Sequence, residues 1–305
     1  MKKDLLRLAD LSSQEIIEVL DLADKLKKEQ KAGIEHHLLK GKTLGMIFAK
    51  ASTRTRVSFE VGIYQLGGIA LYLNANDIQI GRGEPIRDTA RVLSRYLDGI
   101  MIRTYKQRDV DDLAHFSSVP VINGLTDYCH PCQVLADLQT IREYKHTLKG
   151  LKLAFIGDGN NMANSLIVGC VRTGMKMSIA CPAGFAPDAE LVRWGKESGL
   201  LEITEDPKKA VVGADVVYTD VWASMGQESE TAMRKEVFKN YYIDEKLLKF
   251  AKKDVMVQHC LPAHRDEEIT GEVFEKHSKE IFDEAENRLH AQKAIMVMLM
   301  DSNRS

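Results

Sequence analysis

Ser52-Thr53-Arg54-Thr55-Arg56 puts two guanidinium groups and three hydroxyls into five consecutive residues. That is a donor set suited to phosphate oxygens, with planar forks of N–H groups and short O–H donors beside them. The stretch lies between an apolar run at residues 43–49 and a segment of helical apolar spacing from Val57 onward. If the run is a buried strand and the segment a helix, unpaired backbone N–H groups and the positive end of the helix dipole point into the same place. The competing reading is a helix cap followed by two solvated arginines. A P-loop is excluded, because no G-x-x-x-x-G-K-[ST] occurs in the chain.

Four further clusters carry reactive or ligating types. Cys129-His130-Pro131-Cys132 has C-x-x-C spacing, which suits a redox pair, or zinc if His259, Cys260 and His264 supply more ligands. Alternatively, His130 and Gln133 present hydrogen-bond groups from the first turn of a helix, or His130 is a partly buried histidine satisfied by backbone. Gly157-Asp158-Gly159-Asn160-Asn161-Met162 follows a strand-like run as a dinucleotide fingerprint does. Its third glycine is Met162, however, and the next strand ends in Ala180-Cys181-Pro182 without an acid for a ribose, which argues against a nicotinamide cofactor. A small polar ligand at the strand end and a simple tight turn both remain. Asp220-Val-Trp-Ala-Ser-Met-Gly226 and His259-Cys-Leu-Pro262 each follow an apolar run too. Asp220 suits an ammonium partner or a helix cap, and Cys260 a reactive thiol or an inert buried one.

The elements that must position these groups alternate between strand-like runs and helical periods, an α/β pattern without internal repeats. Strands are expected at 43–49, 69–74, 99–103 and 119–123, then at 151–156, 176–181, 216–219 and 255–259. Ser12-Ser-Gln-Glu15 is a capping box for a first helix. Pro131 opens a helix to about Lys145, because Val134, Leu135, Leu138 and Ile141 recur at helical spacing. The pattern restarts near Leu148-Lys149-Gly150, which divides the chain into domains at 1–147 and 148–305. The fold expected is two domains, each a mostly parallel sheet flanked by helices, with a C-terminal helix at 285–300 packing back across them to the first.

The chain has 305 residues, 44% hydrophobic and 28% charged, and Lys plus Arg at 42 balance Asp plus Glu at 44. A broad basic surface for nucleic acid is thereby excluded, whereas a local basic pocket is not. No run approaches the length of a membrane span, and the first residues lack the apolar core of a signal peptide. Five cysteines, an odd number, suit reduced thiols in a cytoplasmic protein.

Taken together, 52–56, 130–133, 157–161, 220–226, 259–262 and Glu286-Asn287-Arg288 stand in an order and spacing that resembles the ornithine branch of the aspartate/ornithine carbamoyltransferase superfamily. The resemblance covers essentially the whole chain. It implies transfer of the carbamoyl group of carbamoyl phosphate to the side-chain amine of L-ornithine, giving L-citrulline and phosphate, with no metal and no organic cofactor. The first domain would bind carbamoyl phosphate and the second L-ornithine, and the partners implied are those two substrates and further copies of the chain, as a homotrimer or a multiple of trimers. By the same resemblance, Ser52, Thr53, Arg54, Thr55 and Arg103 hold the phosphate, and Gln79 reaches a neighbouring subunit's site. His130, Gln133 and Arg288 address the carbamoyl group, joined by the backbone around Cys260 and Leu261. Asn161, Asp220, Ser224 and Met225 hold the α-carboxylate and α-amino end of ornithine. Arg103, His130, Cys260 and Arg288 are the catalytic set, with Cys260 alone or through Asp220 accepting the amine proton.

Overall fold

The computed structural model describes residues 4–223 and 228–301. The chain divides into two compact units, Met1–Gln139 with Arg288–Ser305, and Thr140–Asn287. Each is built around one parallel sheet with helices along the chain between the strands.

In order, the first unit contains α1 (Ser13–Lys31), β1 (Thr43–Phe48), α2 (Thr53–Gln65), β2 (Ile69–Asn74), α3 (Ile86–Leu93), β3 (Gly99–Arg103), α4 (Gln107–Phe116), β4 (Val121–Leu125) and most of α5 (Pro131–Lys145). Strand order is β2-β1-β3-β4. The inner strands β1 and β3 read as apolar runs because both their faces are buried. A Cβ at Gly45 in β1 would lie 2.4 Å from Leu97 Cδ1, so the end of the Leu97 side chain would have to shift to admit one. Ile47, Ile100, Ile102 and Val121 pack with Ala90, Val110 and Leu113 into this unit's core. The expected capping box forms: Ser12 Oγ accepts from the Glu15 N–H, and the Glu15 carboxylate accepts from the Ser12 N–H.

β4 corrects the expectation of a strand at 119–123. Pro120 has no N–H to give a ladder, and the Ser117 hydroxyl bonds both the N–H and the carbonyl of Val119. Pairing therefore begins at Val121.

The second unit continues with β5 (Lys152–Ile156), α6 (Asn161–Thr173), β6 (Lys176–Ala180), α7 (Ala189–Glu197), β7 (Leu201–Thr204), α8 (Pro207–Val211), β8 (Val216–Thr219), α9 (Thr231–Phe238), α10 (Glu245–Leu248), β9 (Met256–His259), α11 (Gly271–Lys276) and α12 (Ser278–Met300). Its order is β7-β6-β5-β8-β9. Ala154, Ile156, Val217 and Val257 from three of these strands pack with Val273, Phe274 and Ile281. β7 was not foreseen from the sequence: it is a four-residue edge strand, half-exposed, and too short to show a pattern. α12 begins at Ser278 and not at 285; its opening turns hold only Ile281 and Phe282 as large apolar residues, too few to show a helical spacing in the sequence. Residues 288–300 of α12 belong to the first unit.

Both sheets reverse their strand order once, between β1 and β3 and between β5 and β8. In open parallel sheets the carboxyl ends at such a switch point are where ligands bind. The clusters that begin at Ser52, Gly157 and Asp220 lie just past one of those ends, and His259–Pro262 runs off the end of the neighbouring β9. Among the described residues no helix is long and apolar enough to cross a membrane.

Candidate active site

In the first unit, the chain leaves β1 and turns into α2 at Ser52, whose side chain accepts from the Thr55 N–H at 3.2 Å and caps the helix. The cap and the anion-site readings are thus compatible. The buried Thr55 hydroxyl lies 3.1 Å from Ser52 Oγ, 3.3 Å from Arg103 Nη1 and 3.1 Å from Arg288 Nη2. Arg103 ends β3, where the register with β4 shifts between Ile102 and Arg103, and such an irregularity re-aims a side chain. Arg288 arrives from α12 and also donates to Gln133 Oε1 at 3.0 Å, while Gln133 Nε2 donates to the buried Asp137 at 2.8 Å.

Two buried guanidinium groups on one hydroxyl repel each other, and a third cation, Arg54, stands half-buried in the first turn of α2. A dianion relieves that repulsion, and the N-terminus of α2 adds to the attraction. His130, immediately before α5, reports the same field: burial first, then Arg288, Arg103 and Arg54, hold its imidazole well below the usual histidine value. At neutral pH it is therefore an uncharged ring that still carries one N–H donor. Arg56 is exposed, paired with Glu60 and stacked over Tyr72, and Thr53 is exposed beside the cluster. Gln79 sits exposed in the short 3-10 turn Gln79–Arg82.

Cys129 and Cys132 do not suit redox or zinc chemistry. Burial pushes both thiols up to about 12. Cys129 Sγ lies 3.6 Å from the Leu6 carbonyl and Cys132 Sγ 3.4 Å from that of Asn123, both as donors. Both chemistries need the thiolate, so this pair belongs to the packing beneath His130.

In the second unit, β5 runs into Gly157, whose φ of +141° favours glycine, and Gly159, where a Cβ would lie 2.3 Å from Pro187 N. The two glycines thus answer to backbone geometry, not to a pyrophosphate. Asn160 then caps α6 by accepting from the N–H groups of Met162 and Ala163, and its Nδ2 donates to Asp220 Oδ2 at 2.8 Å. The other oxygen of Asp220 accepts from the Val221 N–H at 2.8 Å and from Cys260 Sγ at 3.1 Å. The carboxyl ends of β5, β8 and β9 are in this way joined through one carboxylate. Asn161, half-buried, follows at the start of α6.

Cys260 and Leu261 lie on a constrained loop: Leu261 has φ +58° and precedes a cis Pro262. Left-handed backbone costs a residue with a β-carbon about 1 kcal/mol, and the Leu261 N–H is held by His259 Nδ1 at 2.9 Å. Ser224 and Met225, expected at the amino-acid end, lie outside the described residues.

Sequence reasoning passed over several charged groups. Buried Lys50 bonds Asp127 at 3.1 Å and lies over Tyr105; its place two residues before Ser52 was the available signal. Asp137 stands one helical turn after Gln133, a spacing that could have revealed it. Arg234 pairs with Asp158 at 2.7 Å and also donates to the Trp222 carbonyl. Glu268, fully buried, holds His259 at 2.9 Å. Nothing in one sequence distinguishes these last two from solvated charges.

Known proteins bear on both half-sites. Residues 3–143 match the family model "Aspartate/ornithine carbamoyltransferase, carbamoyl-P binding domain", and residues 149–299 match the "Asp/Orn binding domain" of the same name. The chain is similar to the ornithine carbamoyltransferase of Oceanobacillus iheyensis, 58% identical over 98% of this chain and 94% of that one. It is likewise similar to that of Carboxydothermus hydrogenoformans, at 56% over 98% and 97%. Among solved structures, ornithine carbamoyltransferase from Pyrococcus furiosus superimposes with a TM-score of 0.93 at 53% identity, covering 98% of this chain and 97% of that one.

Proposed function

The chain belongs to the aspartate/ornithine carbamoyltransferase family, and from that premise we propose how its two half-sites divide the work. Its reaction is ornithine carbamoyl transfer: the carbamoyl group of carbamoyl phosphate passes to the side-chain amine of L-ornithine, giving L-citrulline and phosphate. The observation that carries the assignment of roles is the convergence of Arg103 and Arg288 on the Thr55 hydroxyl at the N-terminus of α2.

Ser52, Thr53, Arg54, Thr55 and Arg103 hold the phosphate in this reading. His130, Gln133 and Arg288 address the carbamoyl group, to which the backbone of Cys260 and Leu261 also contributes. When the uncharged amine attacks the carbamoyl carbon, charge grows on the carbonyl oxygen and then on the departing phosphate. Fixed donors at both places lower that barrier, commonly the largest single contribution to catalysis. A neutral His130 suits the carbonyl oxygen, because it donates a hydrogen bond without drawing the phosphate away from the arginines.

The amine must first lose a proton that it holds to about pH 10 in water. Cys260 and Asp220, hydrogen-bonded to each other, form the acceptor, while Asp220 with Asn161, Ser224 and Met225 orients the amino acid. Putrescine offers no carboxylate to Asn161, and aspartate brings no side-chain amine to Cys260.

Assembly as a trimer, or a multiple of trimers, follows from the same reading, with Gln79 serving a neighbouring site. Its support is an apolar surface: Val57, Val61 and Tyr64, at 51%, 38% and 77% exposure, recur along α2, and Ile69 and Leu71 are exposed on the edge strand β2. Sedimentation of the enzyme as a monomer would remove that part. All five cysteines are thiols, which fits a cytoplasmic site of action.

The deciding experiment is carbamoyl transfer, read as the amine-dependent release of phosphate from carbamoyl phosphate, with ornithine, putrescine, lysine and aspartate offered in turn. Ornithine should be used at least about a hundredfold better than the others, since each lacks or misplaces a polar group that the site must pair. Comparable rates with lysine or putrescine would overturn the division of roles.

A further inference from the structure

Behind the Cys260 loop lies a buried acid–imidazole pair that the reaction does not touch. Glu268 and His259 are both fully buried at the side chain, with Glu268 Oε1 2.9 Å from His259 Nε2. The opposite ring nitrogen, Nδ1, lies 2.9 Å from the Leu261 N–H. A backbone N–H can only donate, so Nδ1 must be the bare acceptor nitrogen, and the ring proton must sit on Nε2, facing Glu268. The carboxylate suits that tautomer and no other, because an unprotonated Nε2 would set a lone pair against a buried negative oxygen.

The same oxygen, Oε1, accepts the His264 N–H at 2.6 Å. Glu268 therefore clasps both ends of the segment 260–264: one through His259 and one directly. It is itself fixed in the chain, since its carbonyl accepts from the Ile243 N–H at 2.9 Å. A second acid, Glu284 of α12, accepts the His259 N–H at 3.0 Å and fixes the end of β9. Between these restraints stand Cys260, donating to Asp220, and Leu261 at φ +58°. A left-handed leucine persists only where its surroundings hold it, and the N–H bond to His259 is one of the contacts that hold this one.

We propose that Glu268 is a positioning residue for carbamoyl transfer: by fixing His259 as the Nε2–H tautomer it makes Nδ1 the acceptor that holds the Leu261 N–H, and so sets the Cys260–Leu261 backbone in its working conformation. This rests on the roles assigned above to Cys260 and Leu261. It adds to them a residue that touches no substrate and acts through His259.

The test compares two near-isosteric substitutions with the unaltered enzyme. Glu268→Gln keeps a carbonyl oxygen that can accept from both His259 Nε2–H and the His264 N–H, whereas Glu268→Met fills the same space with no acceptor. Glu268→Met should lower kcat by about tenfold or more, and Glu268→Gln by no more than about threefold, the difference expected for losing buried hydrogen bonds against keeping them. Binding of inorganic phosphate, which reads the first unit, should stay within about twofold in both. Two readouts need no turnover. In the unaltered enzyme, 15N-histidine spectra should assign His259 as the Nε2–H tautomer, and the rate of Cys260 alkylation by iodoacetamide should change in Glu268→Met but not in Glu268→Gln. A His259 proton on Nδ1, equal kcat in Glu268→Met and the unaltered enzyme, or equal damage by Gln and Met would each overturn the proposal, and the first requires no variant to fold. An unaltered enzyme that shows the expected tautomer and alkylation pattern but makes no citrulline would overturn the catalytic roles assigned above and not the clasp.

Discussion

The carboxyl ends of the two sheets share one topological device and opposite chemistry. In the first unit the end of β3 brings the Arg103 guanidinium to the N-terminus of α2, and Arg288 joins it from α12. In the second, the loops after β5, β8 and β9 meet on one carboxylate, through an amide, a thiol and a backbone N–H. A dianion needs concentrated positive charge and tolerates some play in its position. A zwitterionic amino acid needs donors and acceptors in fixed places, because its own charges nearly cancel. Hence the first half-site depends on the sum of its cations, and the second on the backbone that spaces its polar groups.

If that contrast is right, the largest single loss lies in the first unit. Arg288→Met removes a cation that touches both Thr55 and Gln133, and kcat for citrulline formation should fall on the order of 10²–10³-fold, as for other fixed donors to a developing negative charge. Phosphate should bind more weakly to the same variant by titration calorimetry. A loss in kcat below about tenfold would break the contrast, because charge would then not be what the first half-site is made of.

Asp220→Asn comes next and should separate the units. It keeps the shape of the side chain but loses the charge to which Cys260 and Asn160 donate. Hydrogen bonds to a charged group contribute about 1.5–3 kcal/mol, so kcat/KM for ornithine should fall on the order of ten- to a hundredfold. Carbamoyl phosphate binding should be unchanged, and a parallel loss of both would mean that the half-sites are not independent. Smaller still, Thr55→Val removes the hydroxyl at the centre of the arginines without removing a charge. Losing one hydroxyl's bond to a charged group, about 1.5 kcal/mol at the low end of that range, should weaken phosphate binding by about tenfold.

The same contrast explains what the sequence could reveal. Ser52–Thr55 and the start of α5 at Pro131 are local features, visible as a run of donors and a proline with helical spacing behind it. Arg288 meets Thr55 across 233 residues, and no local pattern encodes that meeting; only the order of motifs along the whole chain did. β7 escaped because Leu201-Glu-Ile-Thr204 is an edge strand with one face in water, leaving two apolar side chains to mark it. Glu268 and Arg234 escaped for a different reason. A charge is expected in solvent, and only the fold shows that these two are buried against His259 and Asp158.

The last effect falls on stability and not on turnover, and it reads the field of the first half-site without a substrate. His130 is held well below its ordinary value by burial and then by Arg288, Arg103 and Arg54. Below about pH 6.5 the unfolded chain takes up a proton at this position that the folded chain refuses, so protons favour unfolding. Stability from this group is therefore complete above that pH and is lost as pH falls, with a slope of at most about 1.4 kcal/mol per pH unit. His130→Gln should flatten the fall in denaturation midpoint between about pH 6.5 and 5. Equal slopes in the variant and the unaltered enzyme would show that His130 titrates normally and that the arginine field is weaker than the geometry implies. Arg288→Met should restore the histidine's proton affinity only in part, because burial is the larger cause and two guanidinium groups remain.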